Sequence, residues 1–461
     1  MDTKKLRQKI LDLAIRGKLV PQDPNDEPAS VLLERIRAEK EQLIKEGKIK
    51  RSKKSAASDT SHYENVPFEV PESWCWTTIE DLLINRDSER IPLSLAVRNK
   101  QHKKEYNYYG AAGVIDKVEG YLFSERLLLI GEDGANLLSR AKDNAFFADG
   151  KYWVNNHAHV LDCSEKEVLT YVALVINSMA LDPYVTGSAQ PKLSQDNLNK
   201  ILIPLPPLAE QRRIIYAINN YSVYLSNIEN DKKSIENIID LLKQLILNLA
   251  ITGKLVSQEL NDEPAIELLK RIYPSFVPAD NRHYRQLPDS WQVVKIKDVF
   301  TINPKNKVDD DIDAGFVSMS MIDDGYRDSY QFEKKKWSLI KSGFTHFQDG
   351  DIAVAKISPC LENRKSMILK KLPNSIGAGT TELHIFRSSI VDSKFALYFF
   401  KSDYFINQCI GTFNGAVGQQ RVRKNTIEDI EFPLPPYEEQ KRISEKITHI
   451  FECLDKITAE L

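Results

Sequence analysis

Four polar side chains that could do chemistry lie within one short stretch: Asn155, Asn156, His157 and His159. If 152–161 is a single strand, the two histidines point the same way, as a pair of metal ligands would. The asparagines could instead bond adenine in the major groove of DNA. Structural roles are the commoner outcome for such residues, so base contact and structural support both stay open, and we expect no metal.

A second polar stretch, "GDIAVAKISPCLENRKSMIL" at 350–369, places Asp351 before Lys356. A metal-dependent nuclease would need an acidic residue two positions before the lysine, and Val354 stands there, which excludes that site. The basic and amide residues suit phosphate and base contacts instead, with a solvated loop as the alternative. These candidates are Lys356, Asn363, Arg364 and Lys365.

Two polar loops, 186–201 and 414–430, combine glycine, amide and basic residues. That composition suits contact with DNA. The candidates that they add are Gln190, Lys192, Gln420, Arg421 and Arg423.

Motifs for catalysis are missing. The chain has no GxxxxGK[ST] phosphate loop and no GxGxxG after a strand. The stretch "LPPY" at 434–437 is similar to the motif of amino-methyltransferases, but that motif begins with a polar residue that bonds the target amine, and Leu434 cannot do so. We therefore expect no catalytic residues.

Two proline phrases suggest an internal duplication: "PLPPLAEQRRI" at 204–214 and "PLPPYEEQKRI" at 433–443. Residues 6–36 match residues 242–272 at 21 of 31 positions, and 70–82 matches 287–299. Three paired segments in the same order indicate one unit repeated twice. The edges of the unit repeat while the interiors differ, as one scaffold carrying two different middles would.

A long helix is predicted from 208 to 252, with Gly253 as its C-terminal stop. Apolar residues recur along it at alternating steps of four and three, which is typical of a coiled coil. Only Lys232 interrupts this seam of Ile214, Ile218, Tyr221, Leu225, Ile228, Ile235, Ile239, Leu242, Ile246 and Leu249.

The two chain ends carry matching parts of the same seam. The C-terminal part is Ile443, Ile447, Ile450, Leu454 and Ile457, and the N-terminal part is Leu6, Ile10 and Leu13. We expect the ends to meet and build a composite helix that pairs with the unbroken one.

The expected fold class is α+β. Two α/β domains are joined by a pair of long antiparallel coiled-coil helices in a pseudo-twofold internal duplication. The expected segments are 1–62 with a Lys- and Ser-rich linker, the first domain 63–205, the central helix and repeat region 206–280, the second domain 281–434 and the terminal helix 435–461.

Composition is that of an ordinary soluble protein. The 461 residues are 42% hydrophobic and 28% charged with a net charge of −2, so any nucleic-acid surface must be local. No apolar run is long enough for a membrane helix, and the N-terminus lacks a signal-peptide core. Five scattered cysteines fit a reducing cytoplasm.

Together these segments resemble the specificity subunit of type I restriction-modification systems. The stretches that carry the resemblance are "YYGAAGVI" (108–115), "LIGEDGANLLSR" (129–140), "KYWVNNHAHVL" (151–161), "GSAQPKLSQDNL" (187–198), "FVSMSMID" (316–323), 350–363 and both proline phrases.

The resemblance implies that each middle is a target-recognition domain reading one half of a split, asymmetric site in double-stranded DNA. It implies two modification (methyltransferase) subunits and restriction subunits as partners, with S-adenosylmethionine, ATP and Mg on those partners and no cofactor on this chain. The competing hypotheses are an orphan enzyme and a coiled-coil scaffold or regulatory protein that reads no DNA.

Overall fold

The computed structural model describes residues 2–49, 66–187, 189–277, 287–411 and 420–461. The chain divides into two compact units, 1–230 and 231–461. The predicted domain boundaries at 62 and 280 and the Lys- and Ser-rich stretch over 50–60 lie outside the described residues, as does Met1.

Among its described residues, the first unit combines nine strands with helices. Its helices are α1 (Thr3–Ile15), α2 (Ala29–Lys45), α3 (Ile79–Leu82), α4 (Leu95–Asn99), α5 (Asn136–Ser139), α6 (Lys166–Ser178), α7 (Gln195–Asn199) and the start of α8 (Leu208–Ile251), with a 3-10 turn at Asp87–Glu89. Its strands are β1 (Cys75–Thr78), β2 (Ile84–Asn85), β3 (Tyr106–Gly110), β4 (Gly113–Val118), β5 (Leu127–Gly131), β6 (Ala145–Ala148), β7 (Tyr152–Val154), β8 (Ala158–Asp162) and β9 (Leu202–Leu205).

The strands described for this unit form three sheets. The central sheet has the order β2-β8-β5-β6 and is antiparallel throughout. A smaller sheet has the order β4-β3-β7, with β3 and β7 parallel, and β1 pairs with β9. All five residues of β5 are buried, since it lies inside the central sheet.

In the part of the second unit that the structure describes, the rest of α8 is followed by ten strands. Its further helices are α9 (Ala265–Ile272), α10 (Ile296–Val299), α11 (Trp337–Ile340), α12 (Ser393–Phe400), α13 (Asp403–Ile410), α14 (Lys424–Glu428) and α15 (Tyr437–Glu460), with 3-10 turns at Met319–Met321 and Pro373–Ser375. Its strands are β10 (Gln292–Lys295), β11 (Thr301–Ile302), β12 (Asp313–Val317), β13 (Glu333–Lys336), β14 (Thr345–Gln348), β15 (Ile352–Ala355), β16 (Ser366–Ile368), β17 (Ile376–Gly379), β18 (Leu383–Arg387) and β19 (Glu431–Leu434).

The second unit repeats the sheet plan of the first, with one further strand, β14, in its second sheet. Its central sheet has the order β11-β18-β15-β16, its second sheet the order β13-β12-β17-β14, and β10 pairs with β19. Strand β12 runs parallel to β17, as β3 does to β7. The duplication inferred from the edges of the sequence thus extends through the interiors, whose sequences differ.

The predicted strand over 152–161 is wrong as a single element. It divides into β7 and β8, with Asn155–His157 in the turn between them. His157 therefore does not share a strand face with His159, and the proposed histidine pair is not formed.

The long helix is confirmed, because α8 runs from Leu208 to Ile251. Gly253 follows it with φ of +70°, and Gly17 follows α1 with φ of +66°. A Cβ at either glycine would fall 2.5 Å from a proline ring, Pro288 or Pro71, so glycine is required at both stops.

Burial along the predicted seam is uneven. On α8, Ile214, Leu225, Ile239 and Ile246 are buried, Ile218 and Leu249 are partly buried, and Tyr221, Ile228, Ile235 and Leu242 are 37–43% exposed. On α15, Ile443 and Ile447 are buried, Ile450 and Leu454 are partly buried and Ile457 is exposed; on α1, Leu6 is exposed and Ile10 and Leu13 are partly buried. Pairing along the whole seam and the composite helix stay predictions.

Within the second unit, α8 and α15 share one core. Ile246 and Leu247 belong to the same buried cluster as Ile443 and Ile447. Lys243 donates to Asp455 at 2.5 Å across the two helices. Among the described residues, none of the helices combines the length and apolar character that crossing a membrane requires.

Candidate nucleic-acid interface

A buried glutamate from the first proline phrase joins three repeated segments of the first unit. Glu210 accepts hydrogen bonds from Trp74 Nε1 at 2.9 Å and from Gln22 Nε2 at 2.6 Å. One turn later, Arg213 pairs with Asp26 at 2.6 Å. The helix entrance is thereby fixed to the loop after α1 and to the segment before β1.

The second unit contains the same set. Glu439 accepts from Trp291 Nε1 at 3.0 Å and from Gln258 Nε2 at 2.6 Å. Arg442 pairs with Asp262 at 2.6 Å. The repeated residues are thus those that hold the frame of each unit together, which explains why the proline phrase occurs twice.

Burial raises the pKa of both frame glutamates, Glu210 and Glu439. Hydrogen bonds from tryptophan and glutamine and the nearby arginine charge oppose this effect without cancelling it. Both residues are fully buried, so each frame contains one carboxyl group whose charge is disfavoured by desolvation.

In the first unit, three chain segments converge at the end of β5. The backbone N–H of Leu193, in the first polar loop, donates to the carbonyl oxygen of Glu132 at 2.7 Å. The N–H of Glu132 donates to the carbonyl oxygen of His157 at 2.8 Å. The polar loop, the strand end and the turn before β8 are therefore held side by side.

In the second unit, the same bonds recur at the end of β15. The N–H of Val422, in the second polar loop, donates to the carbonyl oxygen of Lys356 at 2.9 Å, and the N–H of Lys356 donates to that of Glu382 at 3.0 Å. The neighbour of Val422, Arg421, forms a β-bridge with Ile357. Residues 412–419 of this loop lie outside the described residues.

Backbone bonds thus define three matched positions. Glu132 matches Lys356, His157 matches Glu382, and the residue before the bonded loop N–H is Lys192 in one unit and Arg421 in the other. The frame is the same, but the side chains differ in type and sign of charge. This is the arrangement expected of two readers that recognise different ligand edges from one scaffold.

Exposed charges at the first strand end are paired with one another. Lys192 Nζ lies 3.3 Å from Glu132, and His157 Nδ1 lies 2.6 Å from Asp133. The Lys192 side chain is 54% exposed and the His157 side chain 48%. Asn156 and Gln190 are also exposed, so these side chains are accessible to a ligand.

At the second strand end, Arg421 donates to both carboxylate oxygens of Glu382, at 2.7 and 2.9 Å. This bidentate pair fixes the plane of the guanidinium group. Burial lowers the pKa of the half-buried Lys356, with Glu382 opposing the effect and Arg421 reinforcing it. Gln420, whose backbone carbonyl accepts from Ser358 N–H, is partly buried, and Arg423 is exposed.

A histidine lies under each polar loop. His159, on β8, is 1% exposed; its Nε2 bonds the Leu193 carbonyl oxygen at 2.8 Å and its Nδ1 bonds Asp87 at 2.6 Å. Both partners of the ring are oxygen atoms, one of a backbone carbonyl and one of a carboxylate.

The equivalent residue of the second unit is His384, on β18, which is 4% exposed. Its Nε2 donates to the Val422 carbonyl oxygen at 3.1 Å, and its Nδ1 accepts from Asn303 Nδ2 at 3.3 Å. Burial lowers the pKa of His384 to about 4, in agreement with a neutral ring that has one donor and one acceptor nitrogen.

Two predicted contact residues of the first unit are corrected. Asn155 is 4% exposed, and its Oδ1 accepts the N–H of His157 at 2.8 Å, which stabilises the turn. His159 is buried beneath the loop. Neither side chain can reach a base edge from this position.

Two candidates of the second unit make internal contacts, and their predicted contact with DNA stays a prediction. Arg364 pairs with Asp403 and lies over the ring of Tyr326, and its side chain is 15% exposed. Lys365 Nζ donates to the carbonyl oxygen of Ile322 at 2.7 Å and is 16% exposed. Both side chains hold internal loops together, whereas Asn363 is exposed.

The group Asp87, Glu132 and His159 brings three ligand types within 4.8 Å of one another. Both nitrogens of His159 are already engaged, and Arg90 lies 3.3 Å from Asp87 and 2.9 Å from Glu132. The charges of the two carboxylates are balanced by the surrounding cations, so the group is stable as an ion-pair network.

Comparison with known families gives one decisive match. The model of the type I restriction modification DNA specificity domain matches residues 71–237 and again residues 288–461. The two matches cover most of the chain and fall one in each unit, apart from seven residues after 230.

The chain belongs to this family.

Similar proteins are also type I restriction enzyme specificity subunits. The EcoAI specificity subunit of Escherichia coli is 40% identical over 235 residues, 47% of this chain, and the EcoEI specificity subunit of the same organism is 38% identical over 235 residues. These alignments span 40% of the length of each relative. A putative type I restriction enzyme specificity subunit of Haemophilus influenzae is 24% identical over 84% of this chain and 89% of its own length.

A solved structure with the same fold comes from a study of complex assembly and conformational transition of the type I R-M system. It aligns with a TM-score of 0.55 and 16% identity over 86% of this chain and 94% of its own. At this identity the comparison establishes the fold.

Four residues of the two sites are not predicted from the sequence: Glu382, Asp87, Asn303 and His384. Glu382 and His384 lie in "TTELHIF", where no polar cluster singles them out. The matching places of β8 and β18 in their sheets and the matched backbone bonds relate them to His157 and His159. Strand pairing of this kind is not revealed by the sequences of the diverged interiors.

Proposed function

We propose that this chain is the DNA-reading specificity subunit of a type I restriction-modification complex, and that each unit reads one half of a split, asymmetric site. The observation that carries the proposal is the matched pair of strand ends. The same two backbone bonds present different charged and amide side chains in the two units, on a chain whose family is defined by DNA specificity.

The exposed groups have the chemistry for this role. Lys192 and Arg421 can exchange their carboxylate partners for phosphate oxygens, and an arginine held in one plane can also bond guanine bidentately. Asn156 and Gln190 add amide groups, which suit adenine. The overall charge of −2 restricts such binding to these local surfaces.

The proposed partners are double-stranded DNA, two modification subunits and restriction subunits. In this proposal the partners bind S-adenosylmethionine, ATP and Mg, and this chain supplies no catalytic residue. The repeated frame, with its paired Trp–Glu and Arg–Asp contacts, supports two equivalent docking places for identical partners. We place the complex in the cytoplasm.

The alternative is a coiled-coil scaffold that reads no DNA. It accounts for α8 but gives no reason for two diverged interiors on one sheet plan. The experiment that separates the two is selection from randomised DNA duplexes by the chain assembled with its modification subunits. We expect two blocks of preferred bases, different from each other and separated by a fixed number of unread base pairs. Binding without sequence preference would contradict the proposal.

A further inference from the structure

The two polar loops are attached to their units by the same side-chain device. In each unit a buried histidine of the central sheet donates to the carbonyl oxygen of the loop residue whose N–H bonds the strand end, Leu193 or Val422. Each loop residue is thus held through both its backbone N–H and its backbone carbonyl oxygen.

The residue behind each histidine also matches. Asp87 Oδ1 accepts the N–H of Val160, the residue after His159, at 2.8 Å. Asn303 Oδ1 accepts the N–H of Ile385, one residue after its histidine, at 2.9 Å. In both cases the second atom of the carboxylate or amide group bonds Nδ1 of the histidine. Five hydrogen-bonding groups therefore recur in two interiors whose sequences have diverged.

Building on the proposed function, we propose that His159 and His384 are positioning residues for the two DNA-reading loops, and that Asp87 and Asn303 determine whether each histidine acts as a charged or a neutral clamp. Neither ring is exposed enough to contact DNA itself. Each acts through the loop that carries Lys192 or Arg421.

A general structural role explains the geometry less well. A buried histidine needs partners for its ring nitrogens, but nothing in that need directs it to the polar loop. His346 shows the other outcome, since it is 6% exposed and bonds the Lys341 carbonyl oxygen and the Asn306 N–H, both far along the chain from the second loop. The recurrence of the loop bond in both units points to loop position as the property that is preserved.

The proposed difference in charge between the His159 and His384 rings follows from the residue that bonds Nδ1 of each ring. Asn303 uses its oxygen for Ile385 N–H, so its N–H₂ faces His384 and the ring needs only one proton. Asp87 offers only acceptors, so His159 donates from both nitrogens. The first clamp is therefore ionic and the second is neutral, and Asn303→Asp is expected to add a second N–H to the His384 ring.

The first test measures loop attachment without DNA. In the full chain, His384→Leu removes the donor, while His384→Gln keeps an N–H that can reach Val422. We expect amide exchange at Val422 to become about fivefold to tenfold faster in His384→Leu, as the loss of one buried hydrogen bond implies, and to change less in His384→Gln. His346→Leu is the matched control, in which exchange at Val422 stays at the parent rate.

The second test repeats the duplex selection with the same variants assembled with modification subunits. His384→Leu should lower discrimination in one block of the DNA site about tenfold and leave the other block intact, and the corresponding variant of the first unit, His159→Leu, should affect the other block. One outcome is that amide exchange at Val422 is faster in His384→Leu while the parent shows no sequence preference. That result would support the role of the histidine in holding the loop and contradict the proposed function. Unchanged exchange at Val422 in both His384 variants, or equal loss in both blocks, would overturn the clamp.

Discussion

Side chains at the two strand ends differ while the backbone bonds that place them coincide. Glu132 and Lys356 have opposite charges at one matched position, yet each accepts a loop N–H through its carbonyl oxygen. The backbone thus fixes where a contact is made, and the side chain decides which contact it is. Substitutions at these positions should change recognition with little effect on stability.

Arg421 provides one such test. Arg421→Gln should weaken DNA binding, because it removes a cation that is 44% exposed at the strand end. A phosphate contact would lower affinity for all sequences and flatten the dependence of log Kd on log salt by about one unit. A base contact would instead relax one position of the site and cost about 1–3 kcal/mol there.

The control for Arg421 is Lys394→Gln, which removes an exposed cation from α12 of the same unit. It should leave affinity, salt slope and preferred sequence as they are in the parent. Equal effects of the two substitutions would mean that Arg421 contributes only general charge.

The frame glutamates predict a pH dependence of stability. Burial raises the pKa of Glu439 above its ordinary value of 4.5, so the folded state holds this proton more tightly than the unfolded chain does. The contribution to stability is greatest below pH 4.5 and falls as the pH rises through the interval up to the raised folded value. Glu439→Gln should remove this part of the decline in Tm.

The neighbouring Glu438→Gln is the control, since Glu438 lies on the same turn with its side chain 63% exposed. Tm should be followed from pH 4 to 8 in all three proteins. A parent-like slope in Glu439→Gln would mean that burial of this carboxyl group does not govern the dependence.

Single residues also show where prediction from sequence ends. Lys192 and Arg421 were found from composition, because glycine, amide and basic residues cluster around them. For Asn155 and His159 the sequence leaves base contact and structural support both open, because it does not reveal that a turn divides 152–161 into two strands and buries both side chains. Glu382 is not predicted from the sequence, since its place beside Lys356 and Arg421 depends on pairing between distant strands.

Among the elements, α8 was predictable to within a residue. Its apolar period is local, and its start and stop are marked by proline and glycine. The strands were predicted less well because their pairing joins residues far apart in sequence, as in β3 with β7 and β12 with β17. The same reason hides the agreement between the two sheet plans.

The uneven seam gives a prediction about α8. Ile239 is 4% exposed and Ile228 is 38% exposed. Ile239→Ala should lower the free energy of unfolding by about 2–5 kcal/mol, as large-to-small changes in a core do. Ile228→Ala should cost less than about 1 kcal/mol, and since alanine favours helix in both cases, the difference reports packing. Equal shifts in Tm would show that Ile228 is as well packed as Ile239.

For the molecule as a whole, the duplication predicts that α8 sets the number of base pairs between the half-sites. Inserting seven residues near Asp231 keeps the heptad register and adds about 10 Å of helix. At about 3.4 Å per base pair this corresponds to about three base pairs at most. Binding to duplexes whose gap varies by single pairs should show a longer preferred gap and weaker affinity. An unchanged preferred gap would mean that another element determines the spacing.

The most direct test of the account is an exchange of one interior. Residues 281–434 are replaced by the corresponding interior of a family member. The preferred DNA of this variant and of the parent is then determined by selection from randomised duplexes. We expect one block of the site to take a new sequence while the other block keeps the parent's bases. A change in both blocks, or in neither, would contradict the claim that each unit reads one half of the site.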